Sequence, residues 1–447
     1  MTKAHGKLCS WGGVCVKDPN WVDAGDFPTM GPTPAGALPF GNGRSYGDSC
    51  LNAQGRAIAS QTSNRILSFD AQTGLLEAEA GVLLSEIIAD VAPHGWFPPV
   101  VPGTQFVTLG GAIANDIHGK NHHRRGTFGC HIPEIRLERT DTGGHVLHAD
   151  ENADLFRATI GGMGLTGLIR TATLQLMPIG SSNIRQVLTR FDRLEDYFDL
   201  AAAADAKHEY SVAWIDSLAR GRAFGRGHLI AGDHETTGEH PKGHAGSRWS
   251  VPWTPFISPL RGPALKLFNE AYFRSAKPGT SEQTVRFDKF FFPLDGIGHW
   301  NRLYGPRGLH QHQSVIPEAA GFDTVAALLA CTQRHGQGSF LTVLKRFGDQ
   351  ASPGLMSFPR PGYTLTLDFP DRGQMTLDLL RELDEITCRA GGAVNPYKDR
   401  RMSPETFEAS FPQWEQLEAV RDPALVSDFW RRTAGRLKPL AEPPRPA

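Results

Sequence analysis

Two glycine-rich stretches constrain this chain more than any other feature of its sequence. The first covers residues 41–49 and reads GNGRSYGDS, and the second covers residues 103–121 and contains Gly110 and Gly111. Glycine lets the backbone approach a ligand closely and adopt positive φ, so that inward-pointing N–H groups can surround a pyrophosphate. An isolated Gly-x-Gly is typical of a surface turn. The Arg-Ser-Tyr-Gly-Asp that follows it here favours a phosphate-rich ligand.

A third glycine motif, GMGLTG at residues 162–167, fits the G-x-G-x-x-G string of a Rossmann dinucleotide site. That site needs a strand before the glycines and a helix after them. Here residues 153–158 have a helical pattern and residues 168–176 a strand pattern. The order is reversed, and the Rossmann interpretation is excluded.

A polar run closes the second stretch, with His118, Lys120, Asn121, His122 and His123 within six positions. A solvated loop is one interpretation. A metal site is another, because His118 and His122 at i, i+4 can share a helix face as zinc ligands do. However, the glycine between them weakens a helix, and no Glu occupies the position of a metalloprotease base. We predict no metal.

The length of 447 residues predicts two domains. A net charge of -1 gives no electrostatic basis for nucleic-acid binding. The six cysteines form no CxxC pair, which indicates neither zinc nor a dithiol redox motif. We find neither a signal-peptide pattern nor an apolar stretch of ~18 residues. These features predict a cytoplasmic protein with reduced thiols.

Hydrophobic periodicity predicts elements along the whole chain. Strands are expected at 74–81, 185–191, 210–215 and 313–317, helices at 83–91, 324–333 and 375–390, and a hairpin at 132–147. The stretch 218–274 is rich in Gly, Pro, His and aromatic residues. Its basic and aromatic residues are Arg220, Arg222, Arg226, Lys242, Arg248, Trp249, Trp253 and Phe256. Two interpretations stay open: a loop at a membrane surface, or a disordered linker.

Residues 154–169, DLFRATIGGMGLTGLI, resemble the helix–glycine–strand signature of the vanillyl-alcohol-oxidase (PCMH-type) FAD-binding family. The resemblance implies an α+β, two-domain fold. Residues 1–180 would form the FAD-binding domain and residues 181–395 a substrate-binding cap domain with an antiparallel sheet. Residues 396–447 would return to the FAD domain.

Four further segments are similar to the decaprenylphosphoryl-β-D-ribose 2-oxidase family: GRSYGD at 43–48, DIHGKNHH at 116–123, WNRLYGP at 300–306, and the surroundings of Lys398. Such enzymes move a hydride from a sugar C2 carbinol to flavin N5 and leave a 2-keto sugar. An NAD(P)H-dependent short-chain reductase then completes an epimerisation that serves arabinose biosynthesis. The resemblance thus implies a sugar or lipid-phosphoryl sugar substrate and contact with the inner membrane face. The alternative is an aldonolactone or alditol oxidase of the same fold that uses O₂.

The resemblance also assigns roles to individual residues. The implied catalytic residues are Tyr46, His118, Gln313 and Lys398, and the implied substrate-binding residues are Trp214, Gln311, Lys345, Thr364 and Thr366. The implied FAD-binding residues are Gly41, Asn42, Gly43, Arg44, Ser45, Tyr46, Gly47, Asp48, Ser49, Gly103, Thr108, Leu109, Gly110, Gly111, Asn115, Asp116, Ile117, His118 and Ile169.

Three of these positions carry further expectations. Asp48 stands where this wider family often has the His that attaches flavin covalently, so dissociable FAD is expected. Thr364 and Thr366 replace an Asn and a Cys of the close relatives, which alters the pocket and the sugar it accepts.

Loss of a hydride from a carbinol also requires removal of its O–H proton, and a buried Lys or neutral His can assist.

Overall fold

The computed structural model describes residues 7–240 and 249–440 of the chain. Short 3-10 helices in this part cover Ala24–Thr29, Ser60–Thr62, Ala92–His94, Phe128–His131, Gly221–Ala223, Pro293–Gly296, Trp300–Tyr304 and Glu318–Ala320. Within the described residues no helix has both the length and the apolarity to cross a bilayer.

Two sheets occupy the N-terminal part. Strands β1 (Asn20–Asp23), β2 (Ala37–Phe40) and β3 (Arg56–Ala59) form a parallel sheet in the order β1-β3-β2. The second sheet is antiparallel in the order β4-β5-β9-β7-β8. Its strands are β4 (Ile66–Asp70), β5 (Leu75–Glu79), β7 (Glu134–Arg139), β8 (Gly143–Leu147) and β9 (Leu168–Gln175), and β6 (Trp96–Phe97) pairs separately with β10 (Met177–Pro178).

Four helices pack against or connect these strands: α1 (Leu84–Val91), α2 (Leu109–Ala114), α3 (His122–Arg125) and α4 (Ala153–Thr159). Helix α1 shows why the sequence folds this way. Leu84, Ile87, Ile88 and Val91 recur at helical spacing and are all buried. The Glu86 carboxylate accepts a hydrogen bond at 2.8 Å from the backbone N–H of residue 83, which satisfies one donor at the helix start.

An eight-stranded antiparallel sheet follows, in the order β15-β11-β13-β12-β18-β19-β17-β20. Its strands are β11 (Asn183–Phe191), β12 (Tyr210–Ile215), β13 (Gly227–His234), β15 (Gly279–Arg286), β17 (Leu309–Ile316), β18 (Val343–Phe347), β19 (Gly362–Pro370) and β20 (Ala393–Val394), and β14 (Trp249–Ser250) pairs with β16 (Ile297–Gly298). The helices of this part are α5 (Leu194–Lys207), α6 (Gly262–Ser275), α7 (Phe287–Phe291), α8 (Gly321–Arg334) and α9 (Gln374–Arg389). Residues of α5, α8 and α9 share one apolar core with this sheet.

The C-terminal segment holds four short helices: α10 (Pro404–Ser410), α11 (Trp414–Ala419), α12 (Asp428–Arg432) and α13 (Ala434–Leu437). It contacts the N-terminal sheet directly. Leu425 forms a parallel bridge with Ala37, and the backbone N–H of Ala53 donates to the Asp428 carboxylate at 2.9 Å. The predicted domain boundaries at residues 180 and 395 stay predictions.

The predicted elements are confirmed at β5, α1, β11, β12, β17, α8 and α9, and the predicted hairpin is β7 with β8. The reversed order around the third glycine motif is also confirmed, since α4 precedes those glycines and β9 follows them.

The interpretation of residues 218–274 as one loop or linker is wrong for much of that stretch. Strand β13 lies inside the large sheet between β11 and β12, and α6 occupies the end of the stretch. Two glycines weaken the strand pattern of β13 in the sequence. The packing of the sheet explains one of them, because a Cβ at Gly232 would lie 2.8 Å from the Arg185 carbonyl oxygen of the neighbouring strand. Lys242 and Arg248 lie outside the described residues.

The prediction of reduced thiols is wrong for two of the cysteines. Cys9 and Cys15 form a disulfide, whereas Cys50, Cys130, Cys331 and Cys388 are free thiols. A tight antiparallel bridge between residues 9 and 15 brings their Cα atoms within 4.1 Å. The spacing of six residues matches no motif, so the sequence alone did not indicate the pair.

Candidate active site

A cavity of about 590 Å³ lies between the glycine-rich loops and the large sheet. It has the size of a pocket that encloses a cofactor and part of a substrate. Of the predicted site residues it is lined by Gly41, Asn42, Gly43, Arg44, Ser45, Tyr46, Ser49, Gly103, Thr108, Gly110, Gly111, Asn115, Asp116, Ile117, His118, Ile169, Trp214, Gln311, Gln313, Lys345, Thr366 and Lys398. The structure thus brings together residues that are far apart in the chain.

The two glycine-rich loops form one continuous wall because they are bonded to each other. The Asn42 side-chain amide donates to the Phe106 carbonyl at 2.7 Å. The Thr108 hydroxyl accepts from the Gly111 N–H at 3.1 Å and thereby caps α2. Gly43 has a φ of +59°, and a Cβ there would lie 2.3 Å from the Cys9 carbonyl oxygen. Only glycine fits this turn without a shift of the backbone.

Four predicted site residues do not line the cavity: Gly47, Asp48, Leu109 and Thr364. Gly47 packs against the C-terminal segment, since a Cβ there would lie 1.5 Å from the Asp399 carbonyl oxygen. Asp48 forms an ion pair with Arg432 at 2.7 Å. Leu109 is buried in the core of the N-terminal sheet. The Thr364 hydroxyl is covered and accepts from the Gln313 amide at 3.1 Å.

Three lysines line the cavity, of which Lys345 is buried and Lys120 and Lys398 are half-buried, and each is harder to protonate than an ordinary lysine. Burial lowers the pKa of Lys120 to about 7 and that of Lys398 to about 8. Burial also lowers the pKa of Lys345 to about 7, and the positive charges of Lys120 and Lys398 contribute to that shift. Amines with such pKa values can exchange protons near neutral pH.

His118 lies between Lys345 and Gln313 at the wall of the cavity. Its Nδ1 is 3.0 Å from the Lys345 Nζ, and its Nε2 is 3.1 Å from the Gln313 Nε2. Burial, followed by the charge of Lys345, holds the pKa of His118 well below its usual range. The imidazole is therefore neutral at physiological pH.

A carboxylate that sequence reasoning missed, Asp368 on β19, faces the same group of side chains. Its Oδ1 accepts from the Gln311 amide at 2.5 Å, and its Oδ2 from the Tyr304 hydroxyl at 3.4 Å. Burial raises the pKa of Asp368 to about 7, and the charge of Lys398 opposes that shift. In turn, Asp368 raises the pKa of Lys398 against the effect of burial.

Lys398 also lies over an aromatic ring. Its Nζ is 4.4 Å from the centre of the Tyr46 ring, a cation–π distance. Burial raises the pKa of the Tyr46 phenol well above its usual range, so the ring stays neutral. Tyr46 and Asp368 therefore both favour the charged form of a lysine that burial disfavours.

The first loop contains buried polar atoms that have no hydrogen-bond partner among the described residues. They include the Arg44 Nε and the Ser49 hydroxyl, and the Gln311 Oε1 on the opposite wall is similar. Such atoms are rare in folded proteins unless a ligand satisfies them. The Arg44 guanidinium also lies 4.4 Å from the centre of the Trp11 ring, which helps fix its position. These unsatisfied donors beside glycine backbone fit a cofactor with a pyrophosphate.

Comparison with known proteins agrees with this geometry. Residues 35–150 match a family model described as an FAD binding domain. Decaprenylphosphoryl-beta-D-ribose oxidase of Mycolicibacterium smegmatis is 35% identical to this chain over 416 residues, which cover 89% of each protein. This chain belongs to that oxidase family. As a member of the decaprenylphosphoryl-ribose oxidase family it is an FAD-dependent oxidoreductase, and the family match implies a vanillyl-alcohol-oxidase type of fold with mixed α and β structure.

Two other relatives show how much of this chain is shared with different proteins. A Streptomyces coelicolor protein, described as uncharacterized and encoded in the mprA 5′ region, is 36% identical over 78% of this chain and 99% of its own length. L-gulonolactone oxidase of Mus musculus is 32% identical over 26% of each chain. The likeness to the decaprenylphosphoryl-ribose oxidase thus extends through the large sheet, whereas that to the gulonolactone oxidase covers about a quarter of the chain.

Four other residues that line the cavity were assigned no role from the sequence: Trp11, Lys120, Asn395 and Tyr397. Trp11 lies before the residues that match the family model, inside the loop that the disulfide closes. Lys120 stands in the predicted polar run, which was a usable signal. Asn395 lies three residues before Lys398, where proximity in sequence to a predicted catalytic lysine was the available signal.

The predicted interpretation of His118 and His122 as one helix face is excluded by the structure, because α3 begins only at His122. Elsewhere, Cys331, His335 and Glu382 have ligand atoms within 4.8 Å of one another. The Glu382 carboxylate is already paired with the His335 ring at 2.7 Å and with the Arg334 guanidinium. The carboxylate of this group is therefore already engaged by two side chains.

Proposed function

We propose that the protein oxidises the C2 carbinol of a polyprenylphosphoryl-ribose-like sugar to the 2-keto sugar, as the first half of an epimerisation. The observation that carries the proposal is the group of titratable side chains that lines the cavity, namely Lys398, Lys345 and His118. A relative named for decaprenylphosphoryl-ribose oxidation supports the substrate class.

In the proposed reaction, Lys398 takes the proton of the substrate O–H. Its pKa of about 8 leaves a useful neutral fraction near pH 7. The Tyr46 ring and Asp368 then stabilise the ammonium that forms. Bound FAD would supply the acceptor for the hydride of the carbinol carbon.

The large sheet supplies the groups that orient the sugar. Gln311 is held by Asp368 through its amide nitrogen. Its Oε1 has no hydrogen-bond partner in the described part of the chain, so it can accept from a sugar hydroxyl. Trp214 and Thr366 line the same region. Gln313 and Thr364 act behind them, since Thr364 reaches the cavity through its hydrogen bond to Gln313.

We also propose that FAD is held without a covalent bond. Asp48 stands where a flavin-attaching His is expected, and its carboxylate is committed to Arg432. Arg44, Ser45, Ser49 and the backbone of residues 41–43, 103, 108 and 110–111 would hold the cofactor instead. Denaturation followed by filtration measures this directly, because dissociable flavin passes through the filter.

Anaerobic flavin bleaching by a panel of phosphoryl-ribose and free sugars tests the proposed reaction. We expect the polyprenylphosphoryl sugar to bleach the flavin. We also expect Lys398→Ala to abolish bleaching while FAD stays bound, because the proton acceptor is lost. Lys289→Ala, at an exposed lysine of α7, is the control and should bleach normally. Bleaching of Lys398→Ala at the normal rate would rule out the assigned role.

The second candidate is an aldonolactone or alditol oxidase that passes its electrons to O₂. The match to L-gulonolactone oxidase favours it, although that match covers 26% of the chain. Stopped-flow mixing of the reduced enzyme with air separates the two. Rapid peroxide formation supports the oxidase, and slow reoxidation supports an enzyme that works beside a short-chain reductase.

We propose, finally, that the protein contacts the inner face of a membrane, where a polyprenyl-phosphate substrate resides. Trp249, Trp253 and Phe256 are 78%, 71% and 90% exposed. Phe268 and Tyr272, on the helix that follows, are partly exposed and also line the cavity. Aromatic side chains of this kind are favoured at membrane interfaces.

A further inference from the structure

The side chain of Asn395, directly after β20, has an orientation that its neighbours determine. It is buried, and its Oδ1 lies 2.9 Å from the backbone N–H of Tyr397. A backbone N–H can only donate, so the atom facing it must be the amide oxygen. The Asn395 Nδ2 therefore points the other way and donates to the Gln313 Oε1 at 2.9 Å.

This bond fixes the next amide in turn. Because the Gln313 Oε1 faces Asn395, its NH₂ group must face the opposite side. There it meets the Thr364 hydroxyl and the His118 Nε2, each at 3.1 Å. An amide NH₂ has two hydrogens, one for each of these partners. The His118 Nε2 must then be an acceptor and carries no hydrogen.

The imidazole transmits the constraint to Lys345. A neutral histidine has one N–H, so that hydrogen must be on Nδ1, which lies 3.0 Å from the Lys345 Nζ. An ammonium has no lone pair with which to accept it, whereas a neutral amine does. One N–H of that amine donates to the Gly119 carbonyl at 3.1 Å, which leaves the other for the cavity.

We propose that Asn395 is a positioning residue that fixes the Gln313 amide, holds His118 in its Nδ1–H form and thereby keeps Lys345 an uncharged hydrogen-bond donor. The two lysines of the proposed function then differ in role. Lys345 donates to the substrate without taking up a proton, and Lys398, which is outside this chain of hydrogen bonds, takes up the proton.

The surroundings of Lys345 agree with an uncharged amine. The titratable groups that face it are Lys120, Lys398, His118 and His122. Burial, with a contribution from the positive charges of the two lysines, lowers the pKa of Lys345 to about 7. Burial also lowers the pKa of His122, to about 3, so that ring is neutral.

Nitrogen NMR of the FAD-loaded protein with labelled histidine tests the proposal, with the His118 signals assigned by their absence in His118→Gln. We expect a protonated-type Nδ1 and an unprotonated Nε2. In Asn395→Asp, a carboxylate oxygen replaces the amide nitrogen that donates to the Gln313 Oε1. The Gln313 side-chain amide must then rotate, so that its nitrogen donates to the carboxylate and its oxygen faces the His118 Nε2. We expect the tautomer to reverse to Nε2–H. An Nε2–H form in the unmodified protein, or an unchanged tautomer in Asn395→Asp, would overturn the proposal.

Ser410→Ala is the matched control. The Ser410 hydroxyl accepts from the Val394 N–H at 3.1 Å, so its loss disturbs the same strand without touching the amide of Asn395. We expect the control to keep the Nδ1–H form.

A kinetic measurement adds a second readout. In Asn395→Asp the Lys345 amine can be protonated more easily. We therefore expect the pKa that Lys345 contributes to the pH profile of flavin reduction to rise by about one unit. An unmoved profile would count against the proposal. This kinetic part rests on the proposed function, whereas the NMR part does not. Reversal of the tautomer in a protein that no sugar reduces would therefore support the inference and reject the function.

Discussion

Lys398 is held between two opposing influences, of which burial is the larger. Burial disfavours its charge, and Asp368 favours it, with a resulting pKa of about 8. The sequence identified Lys398 through its surrounding motif. It did not identify Asp368, because a single acid in the apolar run of β19 has no local feature that distinguishes it from a structural carboxylate. Its role follows from the residues that the fold places opposite it.

Asp368→Asn tests this coupling. Removal of the negative charge should lower the pKa of Lys398 below about 8, since the ammonium loses a stabilising partner. The neutral, proton-accepting form then persists to lower pH, and the acidic limb of flavin reduction should move to lower pH. Rates of anaerobic reduction across the pH range measure it. Asp378→Asn on α9, a half-exposed carboxylate, should leave the limb in place.

Among the elements, β17 shows which features of the site the periodicity of the sequence predicts and which it does not. Gln311 and Gln313 are two residues apart and so share one face of the sheet. His310 and His312 occupy the other face, within 3.5 Å and 3.2 Å of Asp371 and Asp384. Alternation along the sequence is enough to separate these faces.

The partners across the sheet require its register. Strand β17 pairs with β19 so that Gln311 lies opposite Asp368 and Gln313 lies opposite Thr366. Strand β18 places Lys345 opposite Thr364 on the other edge of β19. These pairings join segments that are far apart in the chain, and single-sequence patterns do not contain them. The motifs therefore predicted many of the residues that line the cavity, whereas the contacts among those residues depend on the register of the sheet.

Helix α12 joins the first glycine-rich loop to the segment that carries Lys398. Arg432 binds Asp48 at 2.7 Å and Asp399 at 2.8 Å, and both carboxylates are largely buried. Arg432→Met leaves them unpaired. We expect a loss of roughly 3–5 kcal/mol in the free energy of unfolding, with weaker FAD binding.

Chemical denaturation and flavin titration measure the two effects. Arg436→Met, an exposed position of the neighbouring α13, is the control and should behave as the unmodified protein does. If Arg432→Met bound FAD with normal affinity, the loop would not depend on this ion pair.

On the scale of the whole molecule, exposed apolar side chains concentrate on one part of the surface. Three of them precede α6 in the chain, namely Trp249, Trp253 and Phe256. At that helix Arg261 and Lys266 are also exposed. The sequence indicated the aromatic and basic character of this stretch but not the strand and the helix within it. Aromatic rings beside basic groups favour an anionic lipid surface.

Cosedimentation with vesicles that contain anionic lipid tests this surface. We expect the protein to bind, and Trp253→Ser with Phe256→Ser to weaken binding by about tenfold or more, because each side chain would leave the apolar layer. Met375→Ser removes an apolar side chain that is 52% exposed outside this surface and should have no effect. An equal loss of vesicle binding in the double variant and in Met375→Ser would contradict a specific membrane-binding surface.

The ion pair of Asp48 with Arg432 has a consequence for how the protein is made. These residues are 384 positions apart, and Asp428, which holds the backbone of Ala53, is 375 positions from it. A ribosome releases the first glycine-rich loop long before it releases the helix that holds that loop in place. The cofactor wall of the nascent chain therefore stays incomplete until the residues of α12 emerge. Any expression fragment that stops before α12 would keep the FAD sequence motif and lose the support that shapes it.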